Sequence, residues 1–176
     1  MGVTATAAFA AINRIDDFAY IPEQNIGHAM TSVMAQNRGA GETKRIKEAF
    51  RAGMYIELVY GGITGILLLF LANPLMRLFT QDEMTVITGE QYLHLIAFMY
   101  MIPAVTNGVQ GYFRGMGDLK ITLWSSLINM GVRVAVCFFL VFGCKMGITA
   151  LPWAYLAGWL AMMLYELPFL WRRLVK

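Results

Sequence analysis

The sequence predicts an all-α fold, a polytopic membrane bundle of five transmembrane helices, and three observations carry that expectation. Of its 176 residues 58% are hydrophobic and only 14% are charged. Mean hydropathy is +0.55, well above the range of water-soluble domains. One long amphipathic stretch is followed by four apolar stretches of about 20 or more residues, each long enough to cross a bilayer. No internal repeat, low-complexity run or soluble linker separates them, so residues 1–176 read as one domain.

The first helix is expected over residues 3–36. At about 100° per residue, Asn13, Asp16, Asp17, Tyr20, Glu23, Gln24, His28 and Thr31 share one face, with Arg14, Asn25 and Ser32 at its border. Ile12, Ile15, Phe18, Ala19, Pro22, Ile26, Ala29, Met30 and Val33 fill the remaining arc. Ionisable groups at bilayer depth are costly and face a bundle interior or a wet cavity, so this polar face marks a candidate pathway. Pro22 and Gly27 predict a kink or local opening near the middle.

The second helix is expected over residues 46–72, with Gly53, Gly61, Gly62 and Gly65 in small-residue spacing that admits a close neighbour. Asn73 and Pro74 should stop it, leaving residues 75–79 as a short interfacial piece. Thr80 with Glu83 reads as a capping box for a third helix over residues 82–113, bent at Pro103. Thr106, Asn107 and Gln110 share one of its faces. Asp118 is placed as the N-cap of a fourth helix over residues 119–142, apolar apart from Asn129 and Arg133. The fifth runs over residues 148–170. Cys137 and Cys144 lie seven apart in one apolar segment, an offset that in a helix means about 10 Å of rise, too far for a disulfide.

Basic residues orient the bundle. Arg38, Lys44, Arg45, Lys47, Arg51, Arg114, Lys120, Arg172, Arg173 and Lys176 cluster in one set of loops, whereas the other set has only Arg77 and Lys145. The first set belongs in the cytoplasm. Five spans then put the amino terminus outside and the carboxyl terminus in the cytoplasm of a multi-pass cell-membrane protein.

Short motifs in order sharpen the reading. Ala11-Ile12-Asn13-Arg14-Ile15-Asp16 and Gln36-Asn37-Arg38-Gly39-Ala40-Gly41 bracket the first helix, Pro74-Leu75-Met76-Arg77-Leu78-Phe79-Thr80 follows the second, and Phe113-Arg114-Gly115-Met116-Gly117-Asp118 follows the third. Together they resemble the multidrug and toxic compound extrusion (MATE) family over essentially the whole chain. The family is built from two six-helix lobes, and the resemblance is to helices eight to twelve, part of the C-terminal lobe. It implies a fragment or subunit of a secondary-active antiporter that exports organic cations or other amphipathic solutes in exchange for protons or sodium. It implies no cofactor beyond the coupling ion, membrane lipid and a drug-like small molecule as partners, and an N-terminal lobe or second chain to complete transport. No nucleic-acid partner is expected. Two departures stand out. Where some relatives carry a carboxylate in helix ten this chain has Pro103 with no acid nearby, and where many place a proline after the helix-eleven arginine it has Ala135.

The candidate substrate or ion cavity is therefore Asn13, Arg14, Asp16, Asp17, Tyr20, Glu23, Gln24, Asn25, His28, Thr106, Asn107 and Gln110. For Arg14, Asp16 and Asp17 a proton or cation role stands beside a structural one, in which Arg14 pairs with an acid. Arg133 reads as a structural charge paired with Asp16, Asp17 or Glu57 on a neighbouring helix, and Glu57 as a lone structural acid. Two rival classes remain: a non-transporting membrane protein with a structural role only, and an intramembrane enzyme. The enzyme has little support, since Asp16-Asp17 lacks a further aspartate for a magnesium-diphosphate motif, Glu23 and His28 lack a second histidine at ligand spacing, and no Gly-x-Ser-x-Gly occurs. No metal site is expected.

Overall fold

The computed structural model describes residues 3–175, with side chains from residue 6 to residue 174. Among them the chain forms six α-helices: α1 (Val3–Gly39), α2 (Thr43–Arg77), α3 (Glu83–Ala97), α4 (Met101–Gly115), α5 (Leu119–Phe138) and α6 (Ala150–Val175). A π-helical turn over Phe139–Gly143 extends α5. They pack into one bundle. One group comprises α1 to α4, and α5 packs almost entirely on α6, which reaches the first group mainly through α4.

The expected third helix is two helices. It breaks at Phe98–Tyr100, and α3 and α4 are bent by 53°. The break falls one turn before Pro103 for a physical reason: proline has no N–H for the Met99 carbonyl and its ring crowds that group. The Met99 oxygen accepts from the Ile102 N–H at 2.9 Å instead. The carbonyls of Ala97 and Tyr100 lie against Gly65 and Gly61 of α2, where a Cβ would stand 2.8 and 3.1 Å from them. The small-residue spacing of α2 thus accommodates the bend.

At three helix ends the structure departs from the expectation for a visible reason. α2 continues through Pro74 to Arg77, because Asn73 braces the last turn by accepting from Arg77 Nε at 3.0 Å and donating to Glu90 at 2.7 Å. The N-cap of α3 is Asp82 rather than Thr80: its carboxylate accepts from the Thr85 N–H at 2.9 Å, while Glu83 turns to Arg77 at 3.0 Å. Asp118 precedes α5 without capping it, its carboxylate being engaged by Arg173 at 3.0 Å. α1 runs as one helix through Pro22, and α6 runs through Pro168.

By length and composition α2 and the α5 stretch can cross a membrane, and the bent α3–α4 pair passes the same test as one broken span. That is fewer than the five expected. α1 falls short because every turn between Asn13 and Thr31 carries polar groups, and α6 because it holds Glu166 and several Trp and Tyr residues with polar tips. The outer surface is apolar all the same: Phe18, Phe70, Phe98, Phe138, Phe139 and Leu164 are exposed. Such a belt suits lipid. Cys137 and Cys144 are free.

Candidate functional site

Two polar recesses lie where α1 and α4 face α5 and α6. The larger, about 270 Å³, is lined by Tyr20, Gln24 and His28 from α1, Thr106, Asn107, Gln110 and Arg114 from α4, Ser126, Asn129, Met130 and Arg133 from α5, and Trp159 and Met162 from α6. The smaller, about 260 Å³, is lined by Asn13, Asp16, Asp17, Tyr20, Tyr100, Pro103, Arg133, Tyr155 and Trp159. Tyr20, Arg133 and Trp159 belong to both and form the divide.

The local fold explains the lining. Residues 13, 17, 20, 24 and 28 recur every three or four positions, so one stripe of α1 supplies both recesses. Residues 103, 106, 107, 110 and 114 do the same on α4, and 126, 129, 130 and 133 on α5. Thus Asn13, Asp16, Asp17, Tyr20, Gln24, His28, Thr106, Asn107 and Gln110 are brought together as the sequence suggests. Arg14 and Asn25 are exposed and line neither recess. Arg14 makes no ion pair among the described residues.

Glu23 departs from the expected cavity face. It is 0% exposed and sits on the side of α1 that carries Ile12 and Met30, turned toward α2. Glu57 of α2 is equally buried there, with Oε1 3.5 Å from where a Gly27 Cβ would stand. Neither carboxylate has a hydrogen-bond partner, so Glu57 ties nothing together through a bond.

Arg133 corrects a second expectation. No carboxylate of Asp16, Asp17 or Glu57 lies within ion-pair distance among the described residues. Its guanidinium instead stacks 3.8 Å above the Tyr155 ring, whose negative face supplies partial counter-charge. Asp16 acts on it through space while its own oxygen accepts the Tyr100 hydroxyl at 2.6 Å.

Sequence reasoning passes over Glu166, which is 1% exposed beneath the larger recess. Gln110 Nε2 donates to it at 2.9 Å and to Ser125 Oγ at 2.9 Å, and Ser125 donates to the Thr122 carbonyl at 3.0 Å. Its signal is a lone acid in an otherwise apolar stretch. Arg114, read as a turn residue, reaches the same recess, and its Nε is buried without an acceptor. The site therefore has polar walls inside an apolar bundle, suited to holding and releasing a solute by non-covalent contacts.

Known proteins share this sequence pattern and fold. The family model MatE matches residues 1–139. "Probable multidrug resistance protein YoeA" of Bacillus subtilis is 25% identical over 98% of this chain, which spans 38% of that relative. An "FAD transporter" of Shewanella oneidensis is 28% identical over 85% of the chain and 34% of its own length. Among solved structures, "Crystal structure of MATE in the bent conformation" superposes with a TM-score of 0.88 at 17% identity, over 94% of this chain and 37% of the other. The chain thus spans little more than a third of the proteins it matches, and the structural likeness establishes the fold.

Proposed function

Because the chain belongs to the MatE family, a family of multi-pass membrane transporters, we propose that its helices form part of one lobe of a secondary-active antiporter that exports amphipathic solutes in exchange for protons or sodium. The observation that carries the reading is the pair of polar recesses between α1, α4 and α5, α6 inside a lipid-facing shell. Alternating access requires two halves that rock about a central site, so transport needs further helices beyond these, in the same or another chain. The basic loops set the amino terminus outside and the carboxyl terminus in the cytoplasm.

A chimera tests this. The corresponding helices of YoeA are replaced by this chain and the product is reconstituted in proteoliposomes. The expected result is movement of ethidium or carboxyfluorescein driven by an imposed pH or sodium gradient. A correctly inserted chimera that moves neither dye under either gradient, where the YoeA parent moves one, overturns the reading.

A further inference from the structure

We propose that the larger recess binds the anionic group of its solute, a carboxylate, sulfonate or phosphate carried on an aromatic or otherwise apolar body. The assignment deepens the transport reading by naming the polarity of what enters.

Two guanidiniums reach the wall of this recess, Arg114 from α4 and Arg133 from α5, and no aspartate or glutamate lines it among the described residues. A guanidinium stays charged under all working conditions, and its planar fork matches carboxylate and phosphate oxygens two at a time. No carboxylate lies within ion-pair distance of either, and neither donates a hydrogen bond among the described residues. Stacking on Tyr155 holds Arg133 by its face and leaves the N–H edge for an acceptor.

The nearby acids are disposed so as not to cancel this. Glu166 lies beneath Gln110, bonded to its amide at 2.9 Å, and acts on Arg114 through space without contact. Glu23 faces α2 with Glu57. Asp16 and Asp17 line the other recess, where Asp16 is bonded to Tyr100 at 2.6 Å. The acids thus stay out of the larger recess, whose lining holds Arg114 and, from the divide it shares with the smaller recess, Arg133. Gln24 and Asn107 add amide donors, while Trp159, Met130 and Met162 offer apolar surface to the rest of the molecule. An organic cation in this recess meets two like charges and no carboxylate.

The test is equilibrium binding, which needs no transport. The purified chain in phosphatidylcholine nanodiscs is titrated with 6-carboxyfluorescein and with ethidium, two fused-ring dyes of opposite charge, against empty nanodiscs, with fluorescence anisotropy as readout. Carboxyfluorescein should bind about tenfold more tightly than ethidium, the worth of one charge-assisted hydrogen-bonded contact. Arg114→Gln and Arg133→Gln should each weaken it by about tenfold and leave ethidium unchanged or improved, whereas Arg114→Lys and Arg133→Lys retain most of the binding. The inference is overturned if ethidium equals or exceeds carboxyfluorescein, if neither dye binds, or if folded glutamine variants keep the wild-type affinity. The wild-type comparison alone decides should a variant fail to fold. A chimera that exports ethidium beside a chain that prefers ethidium removes this inference and spares the transport reading. Tight carboxyfluorescein binding beside an inert chimera does the reverse.

Discussion

Glu23 of α1 and Glu57 of α2 are buried on one seam, and none of their four carboxylate oxygens has a hydrogen-bond partner. The two act on each other electrostatically across the helix contact. Taking a carboxylate out of water without a partner costs stability, and an amide of the same shape avoids most of that cost. Glu57→Gln should therefore stabilise the bundle by about 1–3 kcal/mol. Adding Glu23→Gln should gain less than its effect alone, because the first change already removes the mutual repulsion. Thermal unfolding of the three variants in detergent measures both; a loss of stability in each single variant contradicts the argument.

Asp82 offers a pH-dependent handle outside the membrane. The Thr85 hydroxyl and then the Thr85 backbone N–H donate to its carboxylate and hold its pKa below the ordinary 3.8. Because the bonds favour the ionised form, their stabilisation is complete above the unfolded value and is lost as pH falls through the lowered one. Asp82→Ala should thus lower Tm by a constant gap between about pH 5 and 7, and that gap should close below 3.8. A gap that stays open at acid pH refutes the cap's role.

Gly111 marks where α1 and α4 touch backbone to backbone. A Cβ there would lie 2.6 Å from the Gly27 carbonyl oxygen and 3.1 Å from Met30 Cβ, and the carbonyl cannot give way without moving the helix. Gly111→Ala should cost about 1–3 kcal/mol through overpacking. Gly131 of α5 has nothing within 4 Å, so Gly131→Ala should gain about 0.4–1 kcal/mol by restricting the unfolded chain. Chemical denaturation of both variants shows whether the signs differ as stated.

Topology has its own test. With Cys137 and Cys144 replaced by alanine, a single cysteine at Lys44 should resist an impermeant maleimide added to intact cells, and one at Lys145 should react with it. Labelling at position 44 from outside reverses the orientation.

What the sequence disclosed follows from periodicity. Gln24 and His28 on α1, and Thr106, Asn107 and Gln110 on α4, could be assigned to one cavity because helical spacing alone fixes which residues share a face. Glu23 was misplaced because it stands at the edge of the polar arc, where the direction of α2 decides between cavity and seam, and helical spacing does not contain that direction. Glu166 is passed over because it is a single acid without a repeating polar partner on α6, and Arg114, one turn beyond Gln110, is read with the basic turn that ends its helix rather than with the cavity stripe. The break between α3 and α4 was legible as a proline effect. Its position was not, since the strain of Pro103 is relieved on the carbonyls of the preceding turn.

The division of the bundle bears on how wide a range of solutes it accepts. α5 leans on α6 and little else, so the pair behaves as one leaf of a clamshell whose other leaf is α1 to α4. Both recesses lie in the mouth between the leaves. Two polar ties bridge that mouth, both from Gln110 of α4, which donates to Glu166 of α6 at 2.9 Å and to Ser125 of α5 at 2.9 Å. Elsewhere the leaves meet through side chains that slide. The girth of an acceptable guest is accordingly governed by the compliance of those ties rather than by a rigid wall, and because Glu166 and Ser125 line neither recess, replacing either one widens the gape without altering a residue that touches the guest.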